Sequence, residues 1–244
     1  MSLWARIKHV GVELKAHSPF TIFGALTGIA MMLIFKNISH QASYRLFYIF
    51  HPVHVVVSAM VTASLFRLHE KTRNFLVVAI VGYVGAIGTA TLSDSILPFF
   101  GEKILGVVVP TEAAVHSHPA SPAAAQGQAE EEKHQKELHL GFIEEWYIVN
   151  PAAILGILIA YFLPRSKTPH AFHILISTWA SSAHIMMNTS HPFTWMLTAG
   201  FCVVLFIAVW LPCCFSDIIF PMLLVKSDGD LCVLCDGGKH HNHL

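Results

Sequence analysis

Six long apolar stretches run through this chain, and they limit its fold more than any other feature. They cover residues 20–35, 46–66, 75–100, 148–162, 171–187 and 193–225. About 20 mainly apolar residues make a helix that crosses a bilayer. Lipid offers no partner to a backbone N–H or C=O, so each crossing segment has to close its own hydrogen bonds as a helix. Composition points the same way. Hydrophobic residues are 54% of the chain and Asp, Glu, Lys and Arg together only 12%, against about 25% charged residues in a soluble domain. The chain is therefore expected to be an all-α polytopic membrane protein with the lipid bilayer as its solvent. Its net charge of zero argues against nucleic acid, whose binders usually show a basic patch.

The fourth stretch is short. The last is long enough to be broken at Pro212, whose ring removes a helix hydrogen bond. Residues 1–19 hold Arg6, Lys8 and Lys15 and no apolar core of signal-peptide length, so they read as an interfacial amphipathic segment. With the N-terminus inside, the inner segments collect 10 Lys and Arg and the outer ones 5, which favours both termini in the cytoplasm. The expected location is a prokaryotic cytoplasmic (inner) membrane. Residues 101–147 then form a long outer loop, with a flexible stretch over 119–129 and a short polar helix over 130–140. Residues 226–244 form a Cys- and His-rich tail.

An internal repeat organises the spans. Ser18-Pro19-x-x-Ile22-x-Gly24 recurs as Asn150-Pro151-x-x-Ile154-x-Gly156. His51-x-x-His54-x-x-x-Ser58 recurs as His170-x-x-His173-x-x-x-Ser177, and Ser93-Asp94-x-Ile96-x-Pro98 as Ser216-Asp217-x-Ile219-x-Pro221. The three patterns keep their order, each on the corresponding span. Three spans per half is an odd number, so residues 148–225 are expected to run opposite to residues 20–100. That is the inverted repeat common among secondary transporters.

The polar residues inside the spans carry the functional expectation. Of the 15 Asp and Glu, only Asp94 and Asp217 fall inside the apolar stretches, where a carboxylate is costly and marks a functional site by default. Residues three and seven apart share a helix face, so His51, His54 and Ser58 point one way, as do His170, His173 and Ser177. Two imidazoles and a carboxylate are a ligand set for Zn²⁺, Fe²⁺, Mn²⁺ or Ni²⁺. Each HxxH lies near the start of its apolar stretch and each Asp near the end of the next. The expected outcome is two equivalent sites, His51/His54/Asp94 toward the outer face and His170/His173/Asp217 toward the inner; helices that extend further or tilt strongly would instead bring the two sets together. Ser58, Thr62, Ser64, Ser177, Ser181 and Ser182 read mostly as packing residues, with Ser58 and Ser177 as candidate relay groups and His184 as the first relay to test.

Of the 17 histidines, a second population lies outside the spans. His116, His118, His134 and His139 stand in the outer loop. Cys232 and Cys235, with His240, His241 and His243, give the tail a soft-metal character. Vicinal Cys213 and Cys214 are either thiophilic ligands or small buried hydrophobes. The function expected from all this is a secondary transporter of a divalent transition-metal cation, its outer histidines concentrating the ion. The alternatives are a membrane-embedded metal-dependent enzyme acting as a lipid hydrolase or oxidase, which is disfavoured by the duplicated site, haem ligation between spans, and proton-coupled transport of a non-metal substrate. Six spans are few for a rocking transporter, which leaves room for a homodimer.

Overall fold

A computed structural model of the chain describes residues 3–70, 74–107, 141–164, 167–189, 194–216 and 220. Among them there are helices and no strands. In order these are α1 (Leu3–Ile34), α2 (His40–Glu70), α3 (Phe75–Thr91), a wide π-helical turn (Leu92–Ile96), α4 (Leu97–Ile104), the short α5 (Gly141–Glu144), α6 (Trp146–Phe162), α7 (Lys167–Asn188) and α8 (Trp195–Cys214). The tail, the tip of the outer loop and Asp217 lie outside the described residues.

Four helical segments are long and apolar enough to cross a membrane: His17–Ile34, His40–Leu68, Phe75–Ile104 and Trp195–Cys213. Six were expected. The fourth apolar stretch forms α6, apolar but only 17 residues long. The fifth lies in α7, whose serines, threonines and histidines lower its hydropathy because it runs through the middle of the bundle. Residues 3–19 do not form a separate segment, because α1 continues through them and through Pro19 without a break. Nor does Pro212 end α8, whose backbone passes into a second wide turn at Phe215–Ser216.

Helix starts follow capping chemistry. The side chain of Asn74 accepts from the Leu76 N–H at 3.1 Å, and Thr194 Oγ1 accepts from the Leu197 N–H at 3.2 Å. Ser39 Oγ likewise accepts from the Ala42 N–H at 3.2 Å, opening α2 well before the apolar stretch begins. At the other end of the α3–α4 arm, Gly106 takes a left-handed φ of 68°. The Val107 N–H returns to the Glu102 carbonyl at 3.0 Å, the glycine-dependent stop that closes many helices.

The bundle is built around α2 and α7, which pack along each other, with α3 and α6 against α2 and α1 against α7 and α8. Phe47 meets His184 while His54 meets His173, so α2 and α7 run antiparallel. Polarity is reversed relative to a soluble domain. Phe23, Leu26, Ile80, Val84, Leu155, Phe162, Val203 and Leu211 face outward. Ser58, Thr62, Thr89, Ser93, Ser177, Thr178, Ser181 and Ser182 are buried. An apolar exterior of this extent is stable only against an apolar surrounding.

Close packing at the centre depends on small residues, as in membrane bundles generally. A Cβ at Gly24 would lie 2.8 Å from Thr178 Oγ1, and one at Gly156 would strike the Val56 carbonyl oxygen and lie 2.8 Å from the Ala59 Cβ. Two polar contacts cross the same core: Thr62 Oγ1 and Ser216 Oγ are 2.9 Å apart, and Ser181 Oγ donates to the Ser93 carbonyl at 2.8 Å.

Candidate functional site

Asp94 stands in the middle of the wide turn Leu92–Ile96 and is fully buried. A turn of this kind, frequent at functional sites, releases main-chain carbonyls from the regular ladder, and Ser93 gives its carbonyl to Ser181 on α7. The turn presents the Asp94 carboxylate to α2. Oδ2 lies 2.8 Å from His51 Nδ1 and 2.7 Å from His54 Nδ1. Oδ1 accepts from Ser93 Oγ at 2.7 Å, with Ser177 Oγ at 3.5 Å. One carboxylate oxygen thus gathers both imidazoles of the first HxxH.

The chemistry of that arrangement follows from the tautomers. An ionised carboxylate only accepts, so both Nδ1 atoms carry hydrogen and each neutral ring keeps its lone pair on Nε2. A carboxylate behind an imidazole is the arrangement that orients and strengthens metal-ligating histidines. His54 Nε2 is buried and has no hydrogen-bond partner, an arrangement that costs free energy unless something approaches it.

The second half enters the same place. The His173 ring stacks on His54 with centroids 4.8 Å apart, and Cys213 Sγ lies 3.9 Å from His173 Nε2. One histidine of each set, His54 and His173, thus meets the other side by side. The physical reason is the length of α2. It begins at His40, 11 residues before His51, so the first HxxH sits mid-helix rather than near an end. Antiparallel α7 brings His173 beside it.

The other candidates divide clearly. Ser58 and Ser177 are buried, Ser177 within reach of Asp94 and Ser58 Oγ without a hydrogen-bond partner. His170 lies in the first turns of α7, but its side chain is not among those described. Asp217, the loop histidines His116, His118, His134 and His139, and the tail residues Cys232, Cys235, His240, His241 and His243 lie outside the described residues. Among the described residues no group of three or more His, Cys, Asp or Glu side chains is disposed to hold a metal ion as it stands.

Sequence reasoning missed two buried acids, Glu102 and Glu145. Glu102 follows the third apolar stretch by two positions, yet α4 runs on to Ile104 and buries it. Its carboxylate meets His184 Nδ1 at 3.1 Å and accepts from Asn188 Nδ2 at 3.0 Å. The readable signal was Gly106, a helix-stop glycine beyond the apolar run. Phe47 stands between the two groups, stacked on His51 at 5.1 Å and edge-on to His184 at 5.8 Å. Compared with protein-family models, with curated proteins and with solved structures, the chain finds no match.

Proposed function

We propose that this protein is a small membrane permease for a divalent transition-metal cation, built of two inverted three-helix halves and binding its substrate between α2 and α7. The observation that carries the reading is the buried Asp94 carboxylate holding two δ nitrogens while His54 Nε2 is left buried and unpartnered. In this reading the ε nitrogens of His51, His54 and His173 and the thiol of Cys213 are the ligands. Asp94 orients two of them and supplies compensating negative charge. Nitrogen and sulfur donors suit zinc-like ions and not Mg²⁺ or Ca²⁺, which take oxygen.

Matched contacts support the inverted halves. If His51 corresponds to His170, and Asp94 to Asp217, then Ala59 corresponds to Thr178 and Thr62 to Ser181. Gly24 against Thr178 then mirrors Gly156 against Ala59, and Ser181 against Ser93 mirrors Thr62 against Ser216. The wide turn at Leu92–Ile96 has a counterpart at Phe215–Ser216. His54 and His173 stack on each other and lie on the axis relating the halves. A site shared by the halves suits alternating access by rocking one against the other.

The test is saturable Zn²⁺ uptake into liposomes carrying the purified protein, compared with His54→Gln and His173→Gln. Uptake by the wild type that both substitutions abolish is expected. Protein that neither binds nor moves zinc, or any other transition metal, refutes the reading. A second reading, proton-coupled transport of a non-metal substrate, is favoured by the closed His51–Asp94–His54 bonding, which holds a proton as readily as it orients a ligand. Proton release on adding Zn²⁺ to detergent-solubilised protein separates the two, because a metal has to displace protons from its ligands.

A further inference from the structure

The Glu102–His184–Asn188 cluster is not used by the reading above, and it breaks the correspondence between the halves. By the same pairing, His184 stands opposite Leu65 and Glu102 opposite Val225. In sequence, an ionisable pair thus stands where the other half has Leu65 and Val225, with His69 at the position that matches Asn188. The pair lies at the end of the bundle where α2 begins and where α4 and α7 finish.

Resting on the permease reading, we propose that Glu102, His184 and Asn188 form a proton-binding site, separate from the cation site, that couples transport to the proton gradient from one side of the membrane. Glu102 and His184 are 2% and 1% exposed, so neither charge is shared with water. The hydrogen bonds suit two protonation states. His184 Nδ1, 3.1 Å from Glu102 Oε1, either donates to a carboxylate or accepts from a carboxylic acid. Asn188 Nδ2 serves Oε2 in both states and stands 3.3 Å from the same Nδ1. The His184–Glu102 and Asn188–Glu102 hydrogen bonds are both kept when the proton moves between His184 and Glu102. Without an added proton the pair carries one negative charge. Binding one proton brings it to zero, with no bond to any other group broken.

On α2 the Phe47 ring lies between His184 and His51. On α4, Lys103 lies with its Nζ 4.4 Å over the Phe99 ring. The helix α8, packed on α4, carries no acid or base other than its cysteines. Phe47 is an apolar partition between the cation site and the proton site. A dication arriving on one side of it opposes a proton on the other through a poorly screened interior.

The experiment uses full-length protein in liposomes with Zn²⁺ alone as the probe, and measures two modes. One is zinc–zinc exchange at equal pH on both sides. The other is net accumulation under an imposed pH gradient, with an internal pH dye reporting proton movement. For the wild type, a one-unit gradient supports about a tenfold accumulation per coupled proton. Glu102→Gln and His184→Gln each are expected to keep exchange while losing the gradient-driven component and the zinc-dependent pH change. Glu102→Asp, which keeps a carboxylate, is expected to restore part of both. Variants that still accumulate zinc with the gradient overturn the proposal. Loss of exchange as well overturns it too, because the pair then belongs to the permeation path. A wild type that exchanges zinc but ignores the gradient refutes coupling alone. A wild type that moves no zinc refutes the permease reading on which the proposal rests.

Discussion

Replacing Asp94 by asparagine keeps the shape of the side chain and removes its charge, which makes it the sharpest probe of what the carboxylate does. Oδ2 takes both His51 Nδ1 and His54 Nδ1, at 2.8 and 2.7 Å, and Oδ1 takes the Ser93 hydroxyl at 2.7 Å. An asparagine fits with its carbonyl oxygen toward the histidines and its amide toward Ser93 and Ser177, whose hydroxyl oxygens can accept. Every hydrogen bond then survives, but the two to imidazole change from charge-assisted to neutral. Charge-assisted bonds contribute about 1.5–3 kcal/mol and neutral ones about 0.5–1.5, so the histidines lose about 1 kcal/mol of orientation each. About 2 kcal/mol in all is close to a 30-fold loss of affinity, inside the 10–100-fold range found when an orienting partner is removed from behind a metal ligand. Competition between the purified protein and a zinc-binding dye measures it directly, with His54→Gln as reference. Asp94→Asn should lie between the wild type and His54→Gln. An affinity within about threefold of the wild type would show that the ε nitrogens do not bind the ion. A loss as complete as that of His54→Gln would make Asp94 itself a ligand.

Three further outcomes follow from the same coordinates. A methyl at Gly156 collides with the Val56 carbonyl, which is backbone and cannot rotate away, whereas a methyl at Gly88 meets nothing within 4 Å. Gly156→Ala should therefore cost toward the upper end of the roughly 1–3 kcal/mol of overpacking, and Gly88→Ala should be neutral or stabilising by up to about 1 kcal/mol, both read as thermal shifts in detergent. Cys213→Ser should weaken binding of thiophilic Cd²⁺ far more than of Mn²⁺, since sulfur selects the softer ion; equal losses would remove Cys213 from the ligand set. Zinc affinity should fall as pH is lowered, because protons compete with the ion for the imidazole nitrogens. A flat titration would refute imidazole ligation.

How much of this was readable beforehand depended on whether a feature is local. The apolar stretches are local: α2, α6 and α7 each contain one, and the others run mainly through α1, the α3–α4 arm and α8. Helix ends are set by single residues outside them. Ser39 opens α2 early and Gly106 lets α4 run past Phe100, and these two extensions moved His51 to mid-helix and buried Glu102. The meeting of His51, His54 and Asp94 followed from spacing and antiparallel order. The contacts of His173 with His54 and Cys213 depend on how α7 and α8 seat in the bundle, and no spacing within one helix encodes that. The wide turn at Asp94 has no sequence pattern beyond its serines.

That turn also fixes an angle. Asp94 and Glu102 stand eight positions apart, and a continuous α-helix would point them about 80° away from each other. The π-helical turn advances fewer degrees per residue, and it closes part of that difference, so that both carboxylates face the interior from a single arm. Rewinding Leu92–Ile96 as regular α-helix with no residue removed would reopen that offset and rotate α4 against α3 by about 80°. Glu102 would swing off His184 toward the lipid while Asp94 held its place. The wide turn thus works as a rotational offset between the two acids, and the arm is keyed to the bundle through it.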